Sequence, residues 1–208
     1  LLQELKQSKS IPLDKAAEAR TKGAGSTSST TSPEDKASAG LGSGISLVDH
    51  GAGKSYLGFI LYDLFFKSLA DQSQIYGIET REELVQRSTA LAQRLGFPGM
   101  SFLNLSVAES TQSTQLPAQI DIVTALHACN TATDDAIRFA LKKGARAIVL
   151  VPCCQAEVAA VLRKNKQQAL REPLAELWRH PIHTREFGSH VTNVLRCLQL
   201  EAHGYEVT

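Results

Sequence analysis

Short apolar runs alternate with segments of helical spacing from residue 45 to the end of the chain. The apolar runs predict strands at residues 45–48, 74–79, 100–105, 120–126 and 147–151. The helical spacing predicts helices at residues 55–69, 82–95, 133–143 and 187–203. Strands that are apolar almost throughout and are separated by helices indicate a parallel sheet covered on both faces. The pattern therefore predicts an α/β fold.

Local signals indicate where several of these helices begin and end. Residues 80–83, Thr-Arg-Glu-Glu, resemble a capping box that would start the helix at residue 82. Gly96 and Gly144 are expected to close two helices, because glycine readily adopts the left-handed conformation of a C-terminal cap. Asp134 and Asp135 suit the positive end of a helix dipole.

Composition divides the chain into three parts. Residues 1–20 have a short helical pattern, and residues 21–43 are rich in Gly, Ser and Thr, which is typical of a flexible linker. Residues 44–208 are expected to form the α/β domain, since 208 residues with 43% apolar content suffice for one full core. The chain stops at residues 205–208, which resemble the first half of a strand. The domain is therefore expected to lack its C-terminal strands.

Charge and cysteine content exclude several classes. The net charge of +1 and the scattered basic residues give no strong nucleic-acid footprint. Neither a signal peptide nor an apolar run of roughly 18 residues is present, so a cytoplasmic protein without membrane contact is expected. The four cysteines, two of them adjacent, do not resemble a disulfide framework and are expected to be reduced.

The segment between the first strand and the first helix reads Asp49-His50-Gly51-Ala52-Gly53-Lys54-Ser55. A strand, an acid, a Gly-x-Gly turn and a helix are typical of a nucleoside-binding α/β unit. A Walker A loop would need glycine where Val48 stands, which disfavours an NTPase. The frame therefore favours S-adenosylmethionine over ATP, with a simple tight turn as the alternative.

Glu79, which ends the second predicted strand, is a second candidate for ligand binding. A carboxylate at this point can accept hydrogen bonds from the two hydroxyls of an adenosine ribose. Alternatively, Glu79 only interacts with the dipole of the following helix.

Four motifs give the chain a family resemblance. They are Asp-x-Gly-Ala-Gly-Lys at 49–54, Leu-His-Ala-Cys-x-Thr-Ala-Thr-Asp-Asp-Ala at 126–136, Val-Pro-Cys-Cys-Gln at 151–155 and Leu-Glu-x-x-Gly-Tyr-x-Val at 200–207. In this order they resemble class I methyltransferases related to the methyltransferase-like 25 proteins. The resemblance covers residues 45–208 and implies a Rossmann-like, seven-stranded sheet that binds S-adenosylmethionine.

By the same resemblance, eight residues would contact S-adenosylmethionine or its product S-adenosylhomocysteine. Glu79 would bind the ribose, Ser106 would approach the adenine, and Leu126 and His127 would face the transferred methyl group. The full set is Asp49, Gly51, Ala52, Gly53, Glu79, Ser106, Leu126 and His127. His50 departs from the family pattern, which often has a small or apolar residue there.

His127 is the candidate general base, because methyl transfer requires the removal of a proton from the acceptor and a neutral histidine can accept it. Asp134 or Asp135 would orient His127 if the loop folds back. Alternatively, His127 hydrogen-bonds to the loop backbone and the two acids serve only the helix start.

Histidines and cysteines at the carboxyl ends of neighbouring strands suggest two further ideas. They are His50, His127, Cys129, Cys153 and Cys154. A zinc site is disfavoured because no Cys-x-x-Cys spacing is present and adjacent cysteines do not easily both point inward. A cysteine nucleophile attacking a pyrimidine ring rests on analogy alone, and buried packing is the commoner role. No metal site is predicted.

The sequence therefore predicts an S-adenosylmethionine-dependent methyltransferase acting on an unidentified acceptor, which is an RNA, a protein or a small molecule. The alternative is a noncatalytic module that keeps the fold for assembly with partners.

Overall fold

The computed structural model describes residues 44–69, 72–126, 128–152, 157–164, 175 and 179–208. The predicted segments 1–20 and 21–43 lie outside these residues, as do His127, Cys153 and Cys154.

A five-stranded parallel sheet forms the centre of the described residues, with the strand order β3-β2-β1-β4-β5. This order places the carboxyl ends of all five strands at one edge, with β1 in the middle. The strands are β1 (Ser46–His50), β2 (Gln74–Glu79), β3 (Met100–Asn104), β4 (Ile122–Ala125) and β5 (Ala147–Leu150).

Helices connect the strands and cover the sheet. A 3-10 turn at Phe66–Ser68 follows the first of them. The helices are α1 (Tyr56–Leu64), α2 (Glu82–Leu95), α3 (Val107–Ser110), α4 (Thr131–Lys143), α5 (Glu157–Lys164) and α6 (Pro181–Ala202). The alternation of strands and helices confirms the predicted Rossmann-like α/β class. Among the described helices, none combines the length and the apolar content that crossing a membrane requires.

The first face of the sheet packs against α4. Val48, Val123 and Phe139 are fully buried there and belong to one apolar cluster. Burial of one such side chain stabilises the fold by about 1.5–3 kcal/mol. Because side chains alternate along β1, Val48 and His50 lie on this face and Asp49 lies on the other.

The opposite face packs against α1 through aromatic side chains, which include Phe97 just after α2. The Phe59 ring of α1 lies 5.8 Å from the Phe102 ring of β3, and the Tyr62 ring lies 4.7 Å from the Phe97 ring. The buried Tyr62 hydroxyl accepts a hydrogen bond from the backbone N–H of Gly99 at 3.0 Å. These contacts fix α1, whose first residue follows the glycine loop.

Most predicted boundaries agree with the structure. The bounds of β2 and α2 are those predicted, and Gly96 and Gly144 close their helices with φ angles of 66° and 63°. The capping box at Thr80 is wrong: the N-cap is Arg81, and no side chain caps the helix.

Three other elements differ from the prediction. Helix α1 ends at Leu64 rather than at residue 69, and α6 begins at Pro181 rather than at residue 187. Tyr205, predicted to begin a strand, lies in an irregular segment, where its hydroxyl donates a hydrogen bond to the Ala145 carbonyl at 2.5 Å.

Candidate functional site

An open cleft of about 310 Å³ lies at the carboxyl end of β1, beside the start of α1. It brings together five of the residues that the sequence predicted for a cofactor site. The lining residues are Asp49, Gly51, Ala52, Gly53, Lys54, Tyr56, Leu57 and Leu126.

Three residues of the glycine loop beside the cleft have a left-handed backbone conformation. Gly51, Gly53 and Ser55 have φ angles of 66°, 58° and 56°. The backbone N–H of Ala52 donates to the Ile78 carbonyl at 3.0 Å, which holds the loop against β2. Gly77 of β2 leaves room for the Phe102 ring of β3, since a Cβ there would lie 2.7 Å from a ring carbon.

Ser55 is the unusual member of this loop. A non-glycine residue in the left-handed region is strained, and the side chain is 1% exposed. Within the described part of the chain its buried hydroxyl oxygen has no hydrogen-bond partner. The sequence pattern does not indicate this feature, because Ser55 stands where a helix is expected to begin.

We expect Ser55→Gly to raise the free energy of unfolding by about 1–2 kcal/mol. Glycine relieves both the backbone strain and the unsatisfied hydroxyl, against a smaller cost in unfolded-state entropy. Ser55→Ala removes only the hydroxyl and should give a smaller gain. Urea unfolding of both variants measures the effect, and a Gly variant less stable than wild type would contradict it.

Asp49 lies at the centre of the sheet edge, directly above the cleft. It is opposite Gly77 of β2 and Thr124 of β4 in the strand register. The Thr124 hydroxyl donates a hydrogen bond to Asp49 Oδ1 at 2.6 Å, and Asp49 is 4% exposed. A carboxylate is therefore held rigidly at the wall of the cleft.

Glu79 ends the neighbouring strand and bonds to the glycine loop. Its Oε2 accepts a hydrogen bond from the backbone N–H of Gly53 at 2.8 Å. The backbone N–H and side chain of Arg81 also donate to this carboxylate. Burial alone would raise the pKa of Glu79, but these hydrogen bonds and the charge of Arg81 hold that pKa below its usual value.

Ser106 has a structural role at the start of α3. Its hydroxyl accepts a hydrogen bond from the Glu109 N–H at 3.2 Å, while its own N–H donates to the Glu109 carboxylate at 2.7 Å, forming a capping box. Ser106 does not line the cleft. Its predicted contact with adenine stays a prediction.

Asp134 is engaged by an arginine from the last helix. Arg196 Nε donates to Asp134 Oδ1 at 2.7 Å and its second nitrogen donates to Oδ2 at 2.9 Å. Arg196 also donates to the Asn130 carbonyl at 3.1 Å. Asp135 instead pairs with Arg138 at 2.5 Å on the surface. Asp134 therefore links α4 to α6, whereas the Asp135 pair lies within α4, and the role of Asp134 beside His127 stays a prediction.

His50 lies inside the protein, on the face of the sheet opposite Asp49. Its Nε2 lies 3.0 Å from Ser110 Oγ, and its ring meets Phe139 edge-on at 4.6 Å. Because the Ser110 hydroxyl donates to the Val107 carbonyl, we assign the histidine proton to Nε2. Burial lowers the pKa of His50 to about 3.

The buried position of His50 differs from the one expected for a ligand in the loops at the carboxyl ends of the strands. The sequence suggested that His50 lies in the loop after β1, but its ring points into the core. Among the described residues, no group of three His, Cys, Asp or Glu side chains could hold a metal ion.

A protein family described as "Methyltransferase domain" matches residues 34–161. The match covers more than half of the chain and includes the glycine loop, both carboxylates and all five strands. The chain belongs to this family, and its parallel α/β sheet is a class I methyltransferase fold.

Several solved structures resemble parts of the chain. A SAM-dependent methyltransferase from Aquifex aeolicus is 19% identical over 51% of this chain and 54% of that one, with a TM-score of 0.37. The magnesium protoporphyrin IX methyltransferase ChlM from Synechocystis PCC 6803, with bound SAH, is 20% identical over 52% and 46%, also at 0.37. The [4+2]-cyclase SpnF is 21% identical over 49% and 35%, at 0.37.

The matched part of this chain spans about a third to a half of the length of these structures. None of the curated proteins matches the chain in sequence.

Proposed function

We propose that this chain binds S-adenosylmethionine in the cleft after β1 and transfers its methyl group to an acceptor. The observation that carries this proposal is the joint position of Asp49, the glycine loop and Glu79 at the ends of adjacent parallel strands. Ligands of open α/β sheets bind at this edge. Membership in a methyltransferase family supports the same assignment.

The residues of the cleft fit such a nucleoside. Its volume of about 310 Å³ lies at the lower end of the range of ligand sites, roughly 300–1,000 Å³. Asp49 can accept hydrogen bonds from the amino-acid end of the cofactor. Glu79 is not among the lining residues but bonds to Gly53, which is, and would accept hydrogen bonds from the ribose hydroxyls. Leu57 and Leu126 supply apolar walls, and the left-handed glycines allow close approach of the backbone.

The cofactor supplies a methyl group bound to a positively charged sulfur. The protein must therefore hold the acceptor in line with the methyl–sulfur bond and take up the proton that the acceptor loses. We assign the proton transfer to His127, on the sequence evidence. Asp134, which binds Arg196, would act by fixing the start of α4, four residues after His127 in the sequence.

The acceptor is the open part of the proposal. The motifs that resemble the methyltransferase-like 25 proteins do not indicate its chemistry, and a net charge of +1 favours neither nucleic acid nor protein. Turnover is tested with labelled S-adenosylmethionine against pools of RNA, protein and small molecules. Cofactor binding without turnover on any pool would favour the noncatalytic module.

We expect the full chain to bind S-adenosylhomocysteine with micromolar affinity. Asp49→Ala and Glu79→Ala should each weaken binding at least about tenfold, because each removes roughly one charge-assisted hydrogen bond. Calorimetric titration measures this. Asp63→Ala is the matched control, because Asp63 is an exposed carboxylate on α1 that pairs with Lys67. No binding by the folded wild type, or equal loss in the Asp63 variant, would contradict the proposed site.

A further inference from the structure

Four N–H groups surround the Glu79 carboxylate. Gly53 N–H donates to Oε2 at 2.8 Å, and Arg81 N–H donates to Oε1 at 3.0 Å. The Arg81 guanidinium adds Nε to Oε1 at 3.1 Å and a terminal nitrogen to Oε2 at 3.2 Å. A carboxylate has about four acceptor positions. Two of those positions on Glu79 are taken by backbone groups and two by the Arg81 side chain, and the Thr80 hydroxyl makes a longer contact of 3.4 Å with Oε1.

The guanidinium lies at the rim of the cofactor cleft. Its terminal nitrogen is 3.8 Å from the point where a Cβ on Gly53 would stand, and Gly53 lines the cleft. The Glu79 side chain is only 7% exposed, whereas the Arg81 side chain is 62% exposed. The carboxylate is thus fixed, while the guanidinium covers its solvent side and has room to move away.

We propose that Arg81 competes with the ribose of the bound nucleoside for Glu79 and thereby sets the affinity of the cleft. This inference rests on the proposed function, because it takes the ribose to bind at Glu79. A ribose diol needs two acceptor positions on the carboxylate. The two backbone donors are part of the fold, so the positions must come from the guanidinium, which swings into solvent.

The Arg81 guanidinium is charged and the ribose hydroxyls are neutral, so their competition for Glu79 should depend on the salt concentration. The Arg81–Glu79 contact is an ion pair and is weakened by salt, whereas hydrogen bonds from neutral hydroxyls are weakened far less. Raising the salt concentration should therefore release Glu79 to the ribose. A residue that merely supported the loop would not give this dependence.

The test is calorimetric titration of S-adenosylhomocysteine into the full chain and into Arg81→Met, which keeps the length of the side chain but removes its donors. We expect Arg81→Met to bind roughly 3- to 10-fold tighter at about 50 mM salt, and less than about twofold tighter at about 500 mM. Arg87→Met is the matched control, because Arg87 is exposed on the same helix and should leave the affinity unchanged.

Equal or weaker binding by Arg81→Met, or a ratio that does not change with salt, overturns the competition and leaves the proposed function standing. No binding by any folded variant overturns the proposed function itself. If Arg81→Met does not fold, the affinities of Arg81→Lys and of the wild type still test the competition. The lysine has fewer aligned donors and should bind more tightly than wild type, and wild-type affinity should rise with salt.

Discussion

Replacing Asp134 with alanine is expected to lower the free energy of unfolding by about 2–4 kcal/mol. The substitution leaves the guanidinium of Arg196 buried, at 7% side-chain exposure, and within the described part of the chain its remaining hydrogen-bond partner is the Asn130 carbonyl. One of its nitrogens already has no partner among the described residues. The expected loss is below that of a fully buried pair because Asp134 is 40% exposed.

Adding Arg196→Met should bring the stability back to within about 1 kcal/mol of wild type, because an apolar side chain of similar length replaces the stranded charge. Urea unfolding of the two single variants and the double variant gives the coupling between the residues. Asp135→Ala is the matched control, since its partner Arg138 is 68% exposed, and it should cost less than about 1 kcal/mol. Equal losses at Asp134 and Asp135 would contradict this account.

The double variant also separates two roles of Asp134. If Asp134 acts in catalysis beside His127, a stable Asp134→Ala, Arg196→Met protein should bind S-adenosylhomocysteine but lose turnover. If the ion pair only anchors α4 to α6, turnover should fall in the destabilised Asp134→Ala protein and recover in the stable double variant. The measurement is the methylation rate per folded molecule.

Contacts that are local in sequence could be predicted. The bounds of β2 follow from a short apolar run closed by an acid, and the ends of α2 and α4 follow from glycines whose φ angles are positive in the structure. The cleft could also be predicted, because Asp49 and the loop are contiguous and parallel strands end at one edge. The structure places Asp49 and Gly51 in one cleft with Leu126, which the sequence indicated only through the family resemblance.

Pairings between distant residues could not be predicted. Arg196 is 62 residues from Asp134, and nothing in a helical pattern indicates that a charged residue faces inward. His50 directly precedes the glycine loop, so its position suggested that it lies with the loop residues at the carboxyl ends of the strands, but the alternation of β1 turns it towards Phe139. The pattern of residues 80–83 suggested a capping box and did not indicate the pairing of Arg81 with Glu79.

Lowering the pH is expected to destabilise the protein through His50. Burial lowers its folded-state pKa to about 3 from a usual value of 6.5. The unfolded chain therefore binds a proton that the folded protein excludes, and the stability that His50 contributes above pH 6.5 is lost as the pH falls towards 3. Between about pH 7.5 and pH 5 this amounts to about 2 kcal/mol.

His50→Phe should remove this contribution while keeping the aromatic contact with Phe139. Ser110 keeps its hydrogen bond to the Val107 carbonyl, so the variant should match wild type to within about 1 kcal/mol near pH 7.5. Near pH 5 it should be more stable than wild type by about 2 kcal/mol. Urea unfolding across this range gives the difference in slope, and His190→Phe, at an exposed position of α6, is the control. Parallel pH profiles for wild type and His50→Phe would show that the folded protein accepts the proton at His50, and hence that the ring is not held neutral in the core.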